Sequence, residues 1–192
     1  MAVLPSSRRV VLVPMSAELV DKLRRAGESL GIPFREVLRR VAEHGCNLLL
    51  LAHGDMERIE LDYKAVSSLS RLGLALVPLG VLNSLLEGRR EEALEEAERL
   101  GRSVGAVYAL GGAPSEKELA AIVRAVFPDA SEAAVKPGST SLRIVVVAHG
   151  RSKKSLELGA RFLRGLLSEL GYVETEEELG PGALVLSYER RG

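Results

Sequence analysis

The alternation of apolar and polar residues in the first 45 positions predicts one short strand followed by two amphipathic helices. Over Arg9–Met15 a period of two defines the two faces of the strand. The face assigned to the core carries Val11, Val13 and Met15. The opposite face carries Val10, Leu12 and Pro14. A strand of this length is unstable without a partner strand, so the pattern favours pairing with a second copy of the chain.

Two apolar stripes at helical spacing follow the strand and are separated by Gly31. Ser16 is the expected N-cap of the first helix, and Gly31 suits the left-handed position that ends it. Pro33 is expected in the first turn of the second helix, which we predict to end at Gly45. The first stripe consists of Leu19, Val20, Leu23, Ala26, Gly27 and Leu30. The second consists of Phe34, Val37, Leu38 and Val41.

The middle of the chain, residues 46–129, is predicted to be mostly helical. Leu48–Leu51 fits either a strand or a buried helix, and periodicity does not decide between them. Glu91–Leu110 is the clearest helix, and Ser115 with Glu118 forms a capping box at the start of another. The small residues that would let a second helix approach the Glu91–Leu110 helix closely are Gly101 and Gly105.

The last part of the chain, residues 130–192, is predicted to be a small unit of mixed helix and strand. A helix is expected over about Lys154–Leu170, and Gly171 ends it. The predicted strands are Leu142–Ala148, Tyr172–Glu177 and Ala183–Glu189. If Ala133–Lys136 is also extended, the order is β-β-α-β-β. The chain is therefore expected to be an α+β protein with units at 1–45, 46–129 and 130–192.

Composition narrows the function classes only slightly. The 192 residues include 26 Lys and Arg and 26 Asp and Glu, so total charge gives no indication of nucleic-acid binding. Residues 1–45, however, carry a net charge of +3, from eight Lys and Arg and five Asp and Glu. The single cysteine, Cys46, excludes an internal disulfide and suggests a reducing, cytoplasmic compartment. No apolar run approaches the roughly 20 residues that span a bilayer, so we expect no membrane partner.

The order strand, helix, Gly-Ile turn, helix resembles the ribbon-helix-helix family of dimeric DNA-binding proteins over about a fifth of the chain. Gly31-Ile32 makes the turn 16 positions after Met15, which is the separation that this family uses. The other matching positions are Glu18, Leu19, Val20 and Leu23 in the first helix and Glu36, Leu38 and Arg39 in the second. The resemblance implies a homodimer that pairs through the strand and lays its outer face in the major groove.

On this resemblance, the residues that would contact DNA are Arg8, Arg9, Val10, Leu12 and Arg35. Those of the dimer core are Val11, Val13, Met15, Leu19, Leu23 and Leu38. Base edges are recognised by hydrogen bonds, which the apolar outer face of the strand does not offer. Pro33 also removes one backbone donor where the family binds phosphate. Weakly specific, salt-sensitive binding through phosphate contacts is therefore expected.

Two alternatives remain open beside DNA binding in transcription regulation. In the first, the strand is covered on both faces, and the unit serves only to assemble a dimeric interaction protein. In the DNA-binding version the later regions would add oligomerisation or the sensing of a small-molecule effector, whose identity the sequence does not give. Neither version involves catalysis, and we expect no enzyme activity and no cofactor.

The second alternative rests on an aliphatic run that ends in Ala-His-Gly and occurs twice, at His53 and at His149. This pattern resembles the first strand of cobalt and sirohydrochlorin chelatases, in which the histidine engages the metal. With Cys46 these histidines could form a metal site, but no tight His/Cys spacing supports one. The favoured interpretation is two strand-end histidines beside turn glycines, with no metal.

A basic cluster precedes the last predicted helix and consists of Arg151, Lys153 and Lys154. Backbone N–H groups at the helix N-terminus and these cations could together hold an anion. No phosphate-loop signature accompanies the cluster. A basic turn in solvent is the favoured interpretation.

Overall fold

The computed structural model describes residues 13–51, 53–75, 82, 86–87 and 90–191. These residues form six helices and a four-stranded antiparallel sheet, which confirms the predicted α+β class. The chain divides into two compact units, Met1–Met56 and Glu57–Gly192. Among the described residues, no helix has the length and apolar character needed to cross a membrane.

The elements are numbered in chain order. The N-terminal unit contains the helices α1, Ala17–Leu30, and α2, Phe34–Leu51. The helices that follow are α3, Met56–Arg71, α4, Arg90–Gly111, α5, Glu116–Val126, and α6, Lys153–Glu169. The strands are β1, Glu132–Pro137, β2, Ser141–Val147, β3, Tyr172–Gly180, and β4, Ala183–Arg190. From residue 132 onward the order along the chain is therefore β-β-α-β-β.

The sheet of the second unit has the strand order β1-β2-β4-β3, and each neighbouring pair is antiparallel. Alternate residues of the two central strands are buried against α5 and α6. The buried residues of these strands are Leu142, Ile144, Val146, Leu184, Leu186 and Tyr188. The strands β1 and β3 form the two edges, and the helices cover one face of the sheet.

Helices α4 and α6 touch at their backbones because glycine lies at each point of contact. A Cβ atom added at Gly101 would lie 2.0 Å from the carbonyl oxygen of Phe162. One added at Gly165 would lie 2.1 Å from the carbonyl oxygen of Glu98. A Cβ atom added at Gly105 would lie 2.5 Å from the carbonyl oxygen of Leu166. The prediction that Gly101 and Gly105 allow another helix to approach closely is confirmed.

The basic cluster before α6 does not lie wholly in solvent, so that interpretation is wrong for Arg151. The Arg151 side chain is only 8 % exposed. Its Nε donates to Asp129 Oδ1 at 2.8 Å, and its guanidinium lies 4.9 Å from the ring centroid of Phe127. The guanidinium also donates to the carbonyl oxygen of Val126. Arg151 therefore fixes the turn between α5 and β1 rather than offering a charge to a ligand.

Helix α2 extends past Gly45, so the predicted end of that helix is wrong. It continues to Leu51 because no proline or competing cap interrupts it. Its left-handed end lies at His53 and Gly54, whose φ angles are 51° and 90°. The N–H of Gly54 donates to the carbonyl oxygen of Leu49 at 2.9 Å. Leu48–Leu51, left open between strand and buried helix, is helical and exposed.

Candidate dimerisation and DNA-binding site

The hairpin of α1 and α2 is fixed by local signals that the sequence predicts. The hydroxyl oxygen of Ser16 accepts from the N–H of Leu19 at 3.3 Å, which confirms the N-cap. Gly31 has a left-handed φ of 66°, and its N–H donates to the carbonyl oxygen of Glu28. The N–H of Ile32 donates to the carbonyl oxygen of Gly27 at 3.0 Å. This pair of bonds ends α1 and sets the direction in which the chain enters α2.

The hydrophobic core of this hairpin is thin. Leu23 and Val37 are its buried large side chains within residues 13–51, and they pack beside the buried Gly27. A methyl group at Gly27 would meet the γ-carbon of Val37 at 3.3 Å, so the two helices are in contact there. Two buried apolar side chains are too few to hold two helices in water, because short helices depend on packing for their stability.

The predicted dimer-core residues are distributed between buried and open positions. Leu23 is buried, while Met15 and Leu38 are half-buried. Leu19 is 45 % exposed and Val13 is 70 % exposed. One chain alone therefore leaves much of this apolar surface in contact with water.

Four of the five predicted DNA-contacting residues, Arg8, Arg9, Val10 and Leu12, lie outside the described residues. The predicted dimer-core residue Val11 lies outside them as well. Positions 13–16 are not in a strand. The ribbon therefore stays a prediction. Arg35, the remaining predicted contact, is exposed in the first turn of α2 and makes no ion pair with any described residue.

Ion pairs along the hairpin neutralise most of its arginines. Arg39 donates to Glu36 through Nε at 2.9 Å and to Glu43 through Nη1 at 2.7 Å. Arg40 donates to Glu36 at 2.8 Å. The hydrogen bonds from Arg39, and then those from Arg40, lower the pKa of Glu36 to about 2. Glu36 therefore stays ionised at neutral pH and offsets part of the basic charge on α2.

The cations left for an external anion are few. Lys22 pairs with Glu18 at 2.8 Å within α1. Arg25 and Arg35 are exposed and have no acidic partner among the residues that the structure places. Of the eight Lys and Arg of residues 1–45, Arg8 and Arg9 lie outside the described residues, and two of the other six remain to meet phosphate. They would attract DNA weakly and without base recognition.

The two Ala-His-Gly segments serve different local structures. His53 caps α2 in a left-handed conformation, so its interpretation as a strand-end residue is wrong. His149 follows β2 and is exposed, as the second copy of the pattern predicts. Cys46 is exposed on α2. Within the described part of the chain, no group of three or more His, Cys, Asp or Glu side chains is placed to hold a metal ion.

A cavity of about 320 Å³ in the second unit lies among α4, α5 and α6. Its lining is mainly apolar, with Arg151 and Ser155 as polar members. Arg151 is bonded to Asp129, and the Ser155 hydroxyl donates to the carbonyl oxygen of Ser152 at 3.0 Å. Specific ligand sites usually add free polar groups to an apolar lining, and these two groups are already bonded.

Comparisons of the chain with protein-family models, with characterised proteins and with solved structures find no significant match. The likeness to the ribbon-helix-helix family therefore rests on the residues of the N-terminal segment alone. The features that bear on function are the open apolar surface of the hairpin and its few free cations.

Proposed function

We propose that the N-terminal unit is a dimerisation unit of ribbon-helix-helix type that binds double-stranded DNA and acts in transcription regulation. The observation that carries the proposal is the thin core of the α1–α2 hairpin. Two helices in family register, joined by the Gly31-Ile32 turn, leave Leu19 and Val13 open to water. A second copy supplies the missing surface, and pairing of the two N-terminal strands supplies the missing partner strand.

Burial in a dimer would provide a substantial free energy. Fully burying a Leu or Val side chain is worth about 1.5–3 kcal/mol. Leu19 and Val13 are 45 % and 70 % exposed, so covering both contributes about 2–3 kcal/mol per chain. The two-fold symmetry of a homodimer doubles this contribution. Obligate dimers of this kind commonly have no stable folded monomer, which agrees with the thin core.

DNA binding is supported by the position of the free cations. Arg35 lies in the first turn of α2, where the helix dipole and backbone N–H groups favour a phosphate. Arg25 adds a second free cation on α1. A dimer then offers four such side chains, so the binding constant should fall with salt with a logarithmic slope of roughly −3 to −4.

The test is fluorescence anisotropy of a labelled duplex of mixed sequence, titrated with the full chain at roughly 50 mM and 200 mM salt. We expect binding at low salt that weakens at high salt, and a smaller salt slope for the double substitution Arg25→Ala and Arg35→Ala. Arg71→Ala, at an exposed arginine in the second unit, is the matched control and should change nothing. Absence of binding at the lower salt concentration would refute the proposal.

The alternative function is assembly without DNA binding. It is favoured by the ion pairs that occupy Arg39 and Arg40 and lower the pKa of Glu36. It is also favoured by the apolar outer face of the predicted strand. Equilibrium sedimentation separates the two functions, because a stable dimer that fails to bind the duplex supports assembly alone. A chain that is monomeric at all concentrations contradicts both.

A further inference from the structure

The sheet of the second unit has one face on which no described helix of that unit packs. The side chains of this open face are those that alternate with the buried residues of the central strands. Its centre is small and apolar, and consists of Ala134, Val145, Val147, Ala183 and Val185. These five residues are half-buried, so part of each side chain is exposed to solvent.

The open face carries two cations and four carboxylates. Lys136 and Arg143 lie directly opposite each other on β1 and β2. The carboxylates are those of Glu132 on β1, Glu176 and Glu178 on β3, and Glu189 on β4. All six are exposed, and none forms an ion pair within the described residues. Like charges directly opposite each other destabilise a sheet, so the Lys136–Arg143 pair calls for an external anion.

The register aligns Lys136, Arg143 and Glu176 in one row across the sheet. Lys136 pairs with Arg143, Arg143 with Ser187, and Ser187 with Glu176. The row therefore starts with two cations at one edge and ends with a carboxylate at the other. Three strand spacings separate its ends, which is about 14 Å. Lys136 and Glu176 are thus too far apart to pair within one chain.

We propose that the open face docks against the same face of a second copy of this chain. A two-fold axis relates the two copies. It runs parallel to the strands, midway between the two stacked sheets and level with the gap between β2 and β4. Each row then lies over the same row of the partner subunit, in the opposite order. Lys136 then meets Glu176 of the partner subunit, and Val145 meets Val185 of the partner subunit. The apolar centres stack as the inner faces of a sandwich do, at about 10 Å between sheets. The contact between Lys136 and Glu176 occurs twice by symmetry and supplies the charge complementarity of the two faces. Glu178 meets the small Ala134 of the partner subunit.

The size of the face sets the strength of this contact. Four strands at about 4.8 Å and seven residues at about 3.3 Å give about 400 Å² per copy, and so about 800 Å² in total. This total lies below the roughly 1,200 Å² at which stable specific interfaces begin. We therefore expect a weak contact that depends on protein concentration, or one that a second link between the same chains strengthens.

Proximity of the two faces is tested by cross-linking in the full chain. Cys46→Ser removes the native thiol, and Lys136→Cys with Glu176→Cys introduces one at each end of the row. A bismaleimide that is shorter than the width of the sheet should then give a covalent dimer. Either cysteine alone should give none, because each lies opposite the other residue and not opposite itself. Glu132→Cys with Glu176→Cys is the control, since Glu132 lies in a different row.

Charge reversal provides a second, independent measurement. Lys136→Glu or Glu176→Lys alone should weaken association at least about tenfold, because each places like charges opposite each other twice. The double substitution should restore it. Failure of the paired cysteines to cross-link, or equal cross-linking by the control pair, would overturn the proposal. These outcomes do not depend on whether the chain binds DNA.

Discussion

Replacing Gly101 by alanine tests the backbone contact between α4 and α6. The new methyl carbon would lie 2.0 Å from the carbonyl oxygen of Phe162, well inside van der Waals contact. The helices must separate by more than about 1 Å, which forfeits a quarter to a half of their dispersion energy at that point. Overpacking of this kind costs about 3 kcal/mol at the upper end of its usual range. Alanine returns about 1 kcal/mol of helix propensity, so the net loss is about 2 kcal/mol.

Urea unfolding followed by circular dichroism measures this loss. We expect Gly101→Ala to lower the denaturation midpoint with an unchanged slope, since the same surface becomes exposed. Gly111→Ala is the matched control in the same helix, because nothing lies within 4 Å of the added methyl group. It should be neutral or stabilising by up to about 1 kcal/mol. A Gly101→Ala protein as stable as the Gly111→Ala protein would refute the close approach of the two helices.

Three further predictions concern charge and exposure. Burial raises the pKa of Asp129, but the hydrogen bonds and charge of Arg151 outweigh it, so the pKa lies below the ordinary value of 3.8. The stabilisation that the Asp129–Arg151 pair provides is therefore complete above pH 3.8 and is lost as the pH falls through the depressed pKa of Asp129. In Arg151→Leu the free energy of unfolding should depend less steeply on pH in this acid range. Arg164 Nε donates to a carboxylate oxygen of Glu174 on β3 at 2.9 Å. Arg164→Ala should therefore lower the free energy of unfolding by about 1–3 kcal/mol and speed hydrogen exchange of the β3 amides. Unchanged exchange in β3 would contradict this role. Leu50→Ala should change the free energy of unfolding by less than about 0.5 kcal/mol, because Leu50 is 76 % exposed; a larger loss in thermal unfolding would mean that a partner covers it.

Local signals in the sequence predict much of the secondary structure. The capping box at Ser115 is confirmed, since its N–H donates to Glu118 at 2.8 Å and its hydroxyl oxygen accepts from the N–H of Glu118. Ser16 and Gly31 cap α1 as expected. The predicted strand Leu142–Ala148 differs from β2 by one residue at each end. These features depend on residues within a few positions of one another, so a single sequence contains the necessary information.

Two kinds of feature were harder to predict: the residue at which a helix ends, and contacts between residues far apart in the chain. The sequence predicted that α2 ends at Gly45, whereas the left-handed turn after this helix lies at His53 and Gly54. The hydrogen bond of Arg124 Nε to Asp62 Oδ1 at 2.8 Å joins residues 62 positions apart, a pairing that local pattern does not reveal. The row of charges on the open sheet face was missed for the same reason. The alternation of residues within each strand indicates which side chains share a face. The order of the strands in the sheet is also needed to show which of these side chains lie in one row.

The edges of the sheet determine how this chain can avoid forming fibres. An exposed edge strand is a template for further strands and hence for aggregation. On β3 the register shifts between Glu174 and Glu176, and the acidic run around this irregularity repels an incoming copy of the same strand. On β1 the last residue is Pro137, which has no N–H to donate. Growth of the sheet sideways is thus discouraged at both edges, which disfavours open polymers.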